Sequence, residues 1–455
     1  MEPAGSATSH DAVLSRRKFL QQALALTAVL PGPTLWGFEA REFSKSDNAL
    51  LDEICFSAFR YFWEAASPHT GLVKDRSLAD GPDPRTVGSI AATGFGLTAL
   101  CIGVENHYAN RSKIEERVLT TLKYFHDQAL CEKGFYYHFL DIHTGARIWN
   151  SEVSSIDTAL LLCGVIACRE YFTDERIRRL ADAIYHRVDF RWMLNGADTL
   201  SHGWKPESGF IQWRWDTYAE HMMLYLLAIG SPTFGIPPQS WDAWKRPTYN
   251  FFGESYISAD APLFIHQYAH AWIDFRDESD HYADYFKNSI TATRAHLKFC
   301  LDLARKFPKY SAQLWGITAS DSAHGYVAWG GPPAMGPIDG TVVPAAAAGS
   351  LPFLPNECLA VLRNVRDNYG KRCWKRYGFV DAFNPNNDWT NPDVVGINVG
   401  ISMVMAANMR SQFVWRTFMR AAEITAAMRR VGFSNGVDSR PPGSSAVVRA
   451  QTILS

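Results

Sequence analysis

The sequence predicts an all-α fold: an (α/α)6 toroid of inner and outer helices, with long loops forming a cleft at one end. Three observations lead there. Two kinds of helical segment alternate along the chain. The alternation repeats through about twelve segments, as in repeat-like architectures. The loops between them are long and rich in Gly, Pro, Trp and Asp rather than in the residues of disordered linkers.

The elements follow in order. An opening helix is expected near Ser46 to Ala66. Ser89 to Val104 is apolar or small on every side, so it must be buried on every side. Arg111 to Leu130 carries one apolar stripe, Ile114, Val118, Leu122, Phe125 and Ala129, and belongs on the outside. Ser155 to Cys168 repeats the first type and Asp174 to Leu194 the second. Thr217 to Ile229 is again apolar, with a weak outer partner around Trp241 and Trp244. Pro262 to Phe275 and Tyr282 to Ala304 form the next pair. Val343 to Pro355 is only weakly helical and precedes an outer helix from Asn356 to Tyr369. Ile397 to Ala407 and Ser411 to Arg430 close the series. An open α-solenoid is the alternative arrangement; the long loops favour the closed ring.

The flanks read differently. Ser15-Arg16-Arg17-Lys18-Phe19-Leu20 precedes an uncharged stretch, Gln21 to Leu30, and Pro31-Gly32-Pro33. This resembles a twin-arginine signal, and the apolar run is too short to span a bilayer comfortably. The chain therefore divides into a signal peptide (1–40), a catalytic domain (41–432) and a polar tail (433–455). A periplasmic or secreted monomer, free of the membrane once the signal is removed, is expected.

Composition excludes some functions. The 455 residues hold 45 basic and 46 acidic side chains, so no global field attracts nucleic acid. Eight scattered cysteines contain no Cys-x-x-Cys and sit mostly in apolar stretches, where mostly free, buried thiols are expected. Gly94-Phe-Gly96 lies within a helix and lacks the strand and third glycine of a dinucleotide site.

Acidic residues gather where inner helices begin: Glu152, Asp157 and Glu220. Glycoside hydrolysis needs two carboxyl groups, one protonated and one ionised. Acids in first turns also cap helices and complement their dipoles, and the spacing alone does not separate the two roles. Trp204, Glu207, Trp213 and Trp215 share one loop. Asp321 and Trp329 occupy another stretch of the same character. Aromatic faces with carboxylates nearby suit a sugar ligand. His266 and His270 have the i, i+4 spacing of zinc ligands, but no third ligand or His-Glu-x-x-His accompanies them, so neither metal nor cofactor is expected.

Several segments taken together are more specific: Ile90 to Leu100, Phe135 to Asp141, Ser151 to Leu161, His266-Gln-Tyr268-Ala-His270, Trp272 to Arg276 and Asp381-Ala-Phe-Asn384. From about residue 48 to 432 the chain resembles the glycoamylase-like domain family, which includes bacterial endo-β-1,2-glucanases. The resemblance implies the toroid, a β-glucan substrate with β-1,2-glucan favoured, and an inverting, metal-free mechanism. It implies that Glu220, in Tyr218-Ala219-Glu220, is the general acid. It also implies that Glu152 and Asp157 line the substrate site, which makes them catalytic candidates with Glu220. Trp204, Glu207, Trp213, His266, Tyr268, Asp321, Trp329 and Asn398 are the substrate-binding candidates. One position departs. Where the family carries Gly-Ile-Asp-Gln-Gly, with the Asp as general base, this chain has Gly396-Ile397-Asn398-Val399-Gly400. An amide cannot accept a proton as a carboxylate does. Asp388 or Asp393 could supply the base, the chain could run a transglycosylation, or it could bind glycan without cleaving it.

Overall fold

The computed structural model describes residues 43–332 and 336–435. The signal-type segment and the tail beyond residue 435 lie outside these residues. The described residues from 44 onward form one compact unit.

Four long helices behave as their polarity dictates. In α1 (Lys45–Glu64), Ser44 caps the N-terminus by accepting from the Asp47 N–H. In α2 (Ile90–Glu105), every residue from Ile90 to Val104 is buried. The following α3 (Arg111–Asp127) buries one stripe, including Ile114, Val118, Leu122 and Phe125. In α4 (Ser155–Tyr171), every residue from Asp157 to Cys168 is buried. The ring continues through α5 (Glu175–His186), α6 (Met222–Gly230), α7 (Tyr268–Trp272), α8 (Tyr285–Leu303), α9 (Pro344–Ala348), α10 (Pro355–Asn368), α11 (Gly396–Ser411), α12 (Phe413–Phe418) and α13 (Ala422–Arg430). Among the described residues, no helix is long and apolar enough to cross a membrane.

The inner helices are α2, α4, α6, α7, α9 and α11, and they lock by backbone contact and buried polar bonds. A Cβ at Gly94 would lie 2.2 Å from the Leu160 carbonyl oxygen, and one at Gly164 would lie 2.1 Å from that of Gly94. The two glycines let α2 and α4 touch backbone to backbone. Trp272 of α7 donates to Thr98 of α2 at 2.9 Å, with its ring 4.8 Å from Phe95. Asn408 of α11 donates to the Ala271 carbonyl, and Gln267 to that of Ala346 in α9, both at 2.9 Å. These bonds tie the α7 region to α2, α9 and α11.

Three expectations need correction. The outer helix sought near Trp241 and Trp244 is only a 3-10 turn, Pro238–Trp241. Its place against α6 is taken by α13 from the far end of the chain: Gly230 approaches the Glu423 carbonyl, and Arg430 donates to Ile229. Pro262 to Phe275 holds a 3-10 turn, Leu263–His266, before the short α7, not one long helix. The outer segments Asp174 to Leu194 and Ser411 to Arg430 each break in two.

Short strands collect where inner helices begin. They are β1 (Arg76–Leu78), β2 (Val87–Ser89), β3 (Phe139–Asp141), β4 (Val153–Ser154), β5 (Gly203–Lys205), β6 (Ser320–Ser322), β7 (Gly325–Val327) and β8 (Asp393–Val395). The strands β2, β4 and β8 run directly into α2, α4 and α11. Antiparallel pairing joins β1 to β8, β2 to β3, β4 to β5 and β6 to β7. Loops from distant parts of the chain are thereby stitched together beside these helix N-termini. The cysteines are all free, and seven of the eight are buried.

Candidate active site

The β4–α4 junction places the first group of acids. Ser154 caps α4 by accepting from the Asp157 N–H and returns its hydroxyl hydrogen to Asp157 Oδ2 at 2.5 Å. Asp157 Oδ1 faces His138 Nε2 at 3.4 Å, while His138 Nδ1 meets Glu152 Oε1 at 3.0 Å. Burial opposes a charge on His138, but Asp157 and Glu152 outweigh it and raise its pKa. The same bond from His138 pulls Glu152 down to about 2. Ligand atoms of the three residues lie within 4.8 Å of one another, a spacing a cation could bridge. Carboxyl groups face both ring nitrogens of His138 and favour its protonated form. Phe139 stacks on His138 at 3.8 Å and meets Trp149 edge-on at 5.0 Å.

The β1–β8 pairing places the second group. Arg76 Nη1 donates to both oxygens of Asp321, at 3.0 and 2.8 Å, and its Nε contacts Asp75 at 3.3 Å. Asn391 donates to Asp321 Oδ2 at 2.9 Å. The Asp321 backbone N–H in turn donates to Asp381 Oδ2 at 2.9 Å. Asn398, in the first turn of α11, donates to Asp381 Oδ1 at 2.7 Å and to the Ala319 carbonyl at 3.2 Å. Burial pushes Asp381 up to about 7, against the two bonds it accepts; the Asp321 charge adds to the rise.

Glu220 stands beside the first group, where Asp157 is its charged neighbour. It lies in the turn just before α6, not inside its first helical turn. Burial pushes it up to about 7, and the Asp157 charge adds to this. The Tyr268 phenol feels Glu220, Asp381 and Asp157 together; burial first, then these charges, raise its pKa well above the usual tyrosine range. Tyr326, on β7, is 54% exposed; loss of water around its phenol, then Asp381, Asp75 and Asp321, push it up. Tyr268 alone of the two phenols is influenced by both Glu220 and Asp381. Among the described residues, no cationic side chain lies within ion-pair distance of Glu220 or Asp381, whereas Glu152, Asp157, Asp75 and Asp321 each have one.

Other candidates fall elsewhere. Trp213 stands 64% exposed on the rim, and Trp204 is half-buried against Trp192. Glu207 is drawn into a two-pronged ion pair with Arg147, at 2.5 and 3.1 Å, so its carboxylate bridges two loops instead of presenting itself to a ligand. Trp329 is fully buried and donates to Ser320. His266 is buried between Tyr218 and Ser258, at 3.0 and 3.1 Å. Asn398 is buried as well, with its amide hydrogens turned to Asp381 and Ala319. All three are engaged in packing and internal bonds. The proposed substitute bases fail on geometry. Asp388 is exposed and paired with Arg372 at 2.8 Å; Asp393 is clamped by Arg85 at 2.6 and 2.7 Å.

Sequence reasoning missed His138, the Asp75–Arg76 pair, Asp381, Tyr326 and Trp149. His138 and Asp381 both lie within segments that carried the family resemblance, which was the one available signal.

The chain is similar to known proteins in sequence and in fold. Residues 212–422 match the family model described as "Glycoamylase: Putative glucoamylase". An exo β-1,2-glucooligosaccharide sophorohydrolase (non-reducing end) of Parabacteroides distasonis is 28% identical over 431 residues, covering 86% of this chain; the chain spans 59% of that relative's length. An endo-β-1,2-glucanase of Chitinophaga pinensis, solved with sophorotriose and glucose, superposes with a TM-score of 0.79 at 27% identity, covering 86% of this chain and 99% of that one. A β-1,2-glucanase of Parabacteroides distasonis gives a TM-score of 0.80 at 26% identity, covering 86% of this chain and 60% of that one.

Proposed function

We propose that the chain, which is similar to the glycoamylase-like family, is a glycoside hydrolase acting on a β-glucan, with β-1,2-glucan the favoured substrate and Glu220 the general acid. The observation that carries this reading is the state of Glu220. A carboxyl held near 7, without a cation to ionise it, keeps a proton to give to a leaving sugar oxygen at neutral pH. Glu152, held ionised by His138, cannot serve as that donor. It and Asp157 instead supply fixed negative charge beside an anomeric centre that turns positive in the transition state.

The test is sugar release from β-1,2-glucan by wild type and Glu220→Gln. Wild type should release oligosaccharides, and the variant should be slower by about 10²–10⁴-fold. Equal release by both would overturn the assignment of the acid. Asn398 favours a second reading, a relative that binds glucan without cleaving it. Calorimetric binding with no product after long incubation would establish that reading instead.

A further inference from the structure

An inverting glycosidase needs a second carboxyl, ionised and able to take a proton from the attacking water. The acids around this cleft divide by their partners. Glu152 and Asp157 share His138, Asp75 and Asp321 share Arg76, and Asp393 belongs to Arg85. A carboxylate stabilised by a cation is a weakened base. Asp381 accepts instead from two neutral donors, the Asn398 amide on one oxygen and the Asp321 N–H on the other. A carboxylate offers about four acceptor positions, so these bonds fix its plane and leave lone pairs for a water. Its field reaches the Tyr268 phenol, which Glu220 also reaches.

We propose that Asp381 is the general base of this chain, acting one hydrogen bond away from the carboxylate that Asn398 replaces. This rests on the glycoside-hydrolase reading above. Asp381 takes a proton from water as the water oxygen bonds to the anomeric carbon. The bond from that carbon to the leaving oxygen breaks, and its electron pair stays on the oxygen, which takes the Glu220 proton. Both carboxyls then regain their starting states by exchange with solvent. Burial, which pushes Asp381 up to about 7, matches its basicity to neutral pH. Asn398 is a positioning residue: it holds the Asp381 carboxylate through Oδ1.

The experiment measures kcat, KM and pH profiles on β-1,2-glucooligosaccharides for wild type, Asp381→Asn, Asn398→Asp and the double exchange, with circular dichroism to check folding. Asp381→Asn should lose about 10²–10⁴-fold in kcat with little change in KM. The double exchange restores a carboxylate at 398 and keeps an Asp–Asn bond, so it should regain at least tenfold over Asp381→Asn. Asn398→Asp alone keeps Asp381 beside a second carboxyl, and the shared proton should raise the acidic limb of the profile. Asp381→Asn retaining more than a tenth of wild-type kcat, a folded double exchange no faster than Asp381→Asn, or an unmoved limb in Asn398→Asp would each overturn the proposal. A wild type that cleaves no glucan would instead overturn the hydrolase reading, and this role with it.

Discussion

Glu220 and Asp381 share a property that costs the fold something. Both are carboxyls whose pKa is raised to about 7 in the native state by burial. An unfolded chain ionises them near 4. Between those values the native state binds more protons than the unfolded one, so stability falls as pH rises. The stabilising contribution is whole below about 4 and is lost by the time pH passes 7. Glu220→Gln carries a neutral group that escapes this loss. It should melt a few degrees above wild type at pH 8, with the gap closing towards pH 4.5, by thermal denaturation monitored with circular dichroism. A gap that does not vary with pH would show that ionisation is not its source. Glu220 was legible in the sequence through its Tyr-x-Glu setting before an apolar helix. Asp381 was not, because its character comes from burial and from the want of a cation, and neither is written in local spacing. The same holds for His138, whose charge depends on two acids fourteen and nineteen residues away along the chain.

At the level of elements, the contact between α2 and α4 is the most demanding. Each glycine faces backbone of the other helix, and backbone cannot rotate aside as a flexible side chain can. Gly94→Ala or Gly164→Ala should therefore force the helices apart and destabilise the protein by about 3 kcal/mol, read from urea unfolding. A loss below about 0.5 kcal/mol would mean that the helices adjust freely. Polarity made these two inner helices legible: a segment apolar on all sides has one place to go. The short α7 and α9 were less so, because Pro262 and Pro344 restrict where helix can begin and Gly349 follows α9 directly. The exchange of α13 for an outer helix beside α6 was invisible, since it joins residues two hundred positions apart and no periodicity records such a partner.

Over the whole molecule, aromatic groups extend the cleft beyond its acids. Trp149 is 67% exposed, on a backbone where it and Asn150 both adopt positive φ, 58° and 49°. That conformation costs each residue roughly 1–2 kcal/mol, so the loop pays to hold the ring out. Trp213 is similarly exposed, and its carbonyl accepts from His202, whose own carbonyl receives the Ser155 N–H at the start of α4. Both tryptophans thus flank the N-terminus of α4, with the Arg147–Glu207 ion pair tying their loops together. Stacking on such faces is worth about 0.5–1.5 kcal/mol. Trp149→Ala and Trp213→Ala should raise KM for long glucans by roughly 2- to 12-fold by that figure. The KM for the shortest cleavable oligosaccharide should move little. Equal changes for long and short substrates would show that the rings do not act as outlying subsites.

The hydrogen bond between Asn398 and Asp381 bears on ancestry. Two adjacent carboxyls at these positions would share one proton, with one oxygen always ionised. A lineage could therefore pass from a base at 398 to a base at 381 through a form with acids at both, and at no step would the cleft be without a proton acceptor. On the proposal that Asp381 is the base, the residue that stands in place of a catalytic group still serves the reaction, by holding its neighbour's carboxylate through one hydrogen bond.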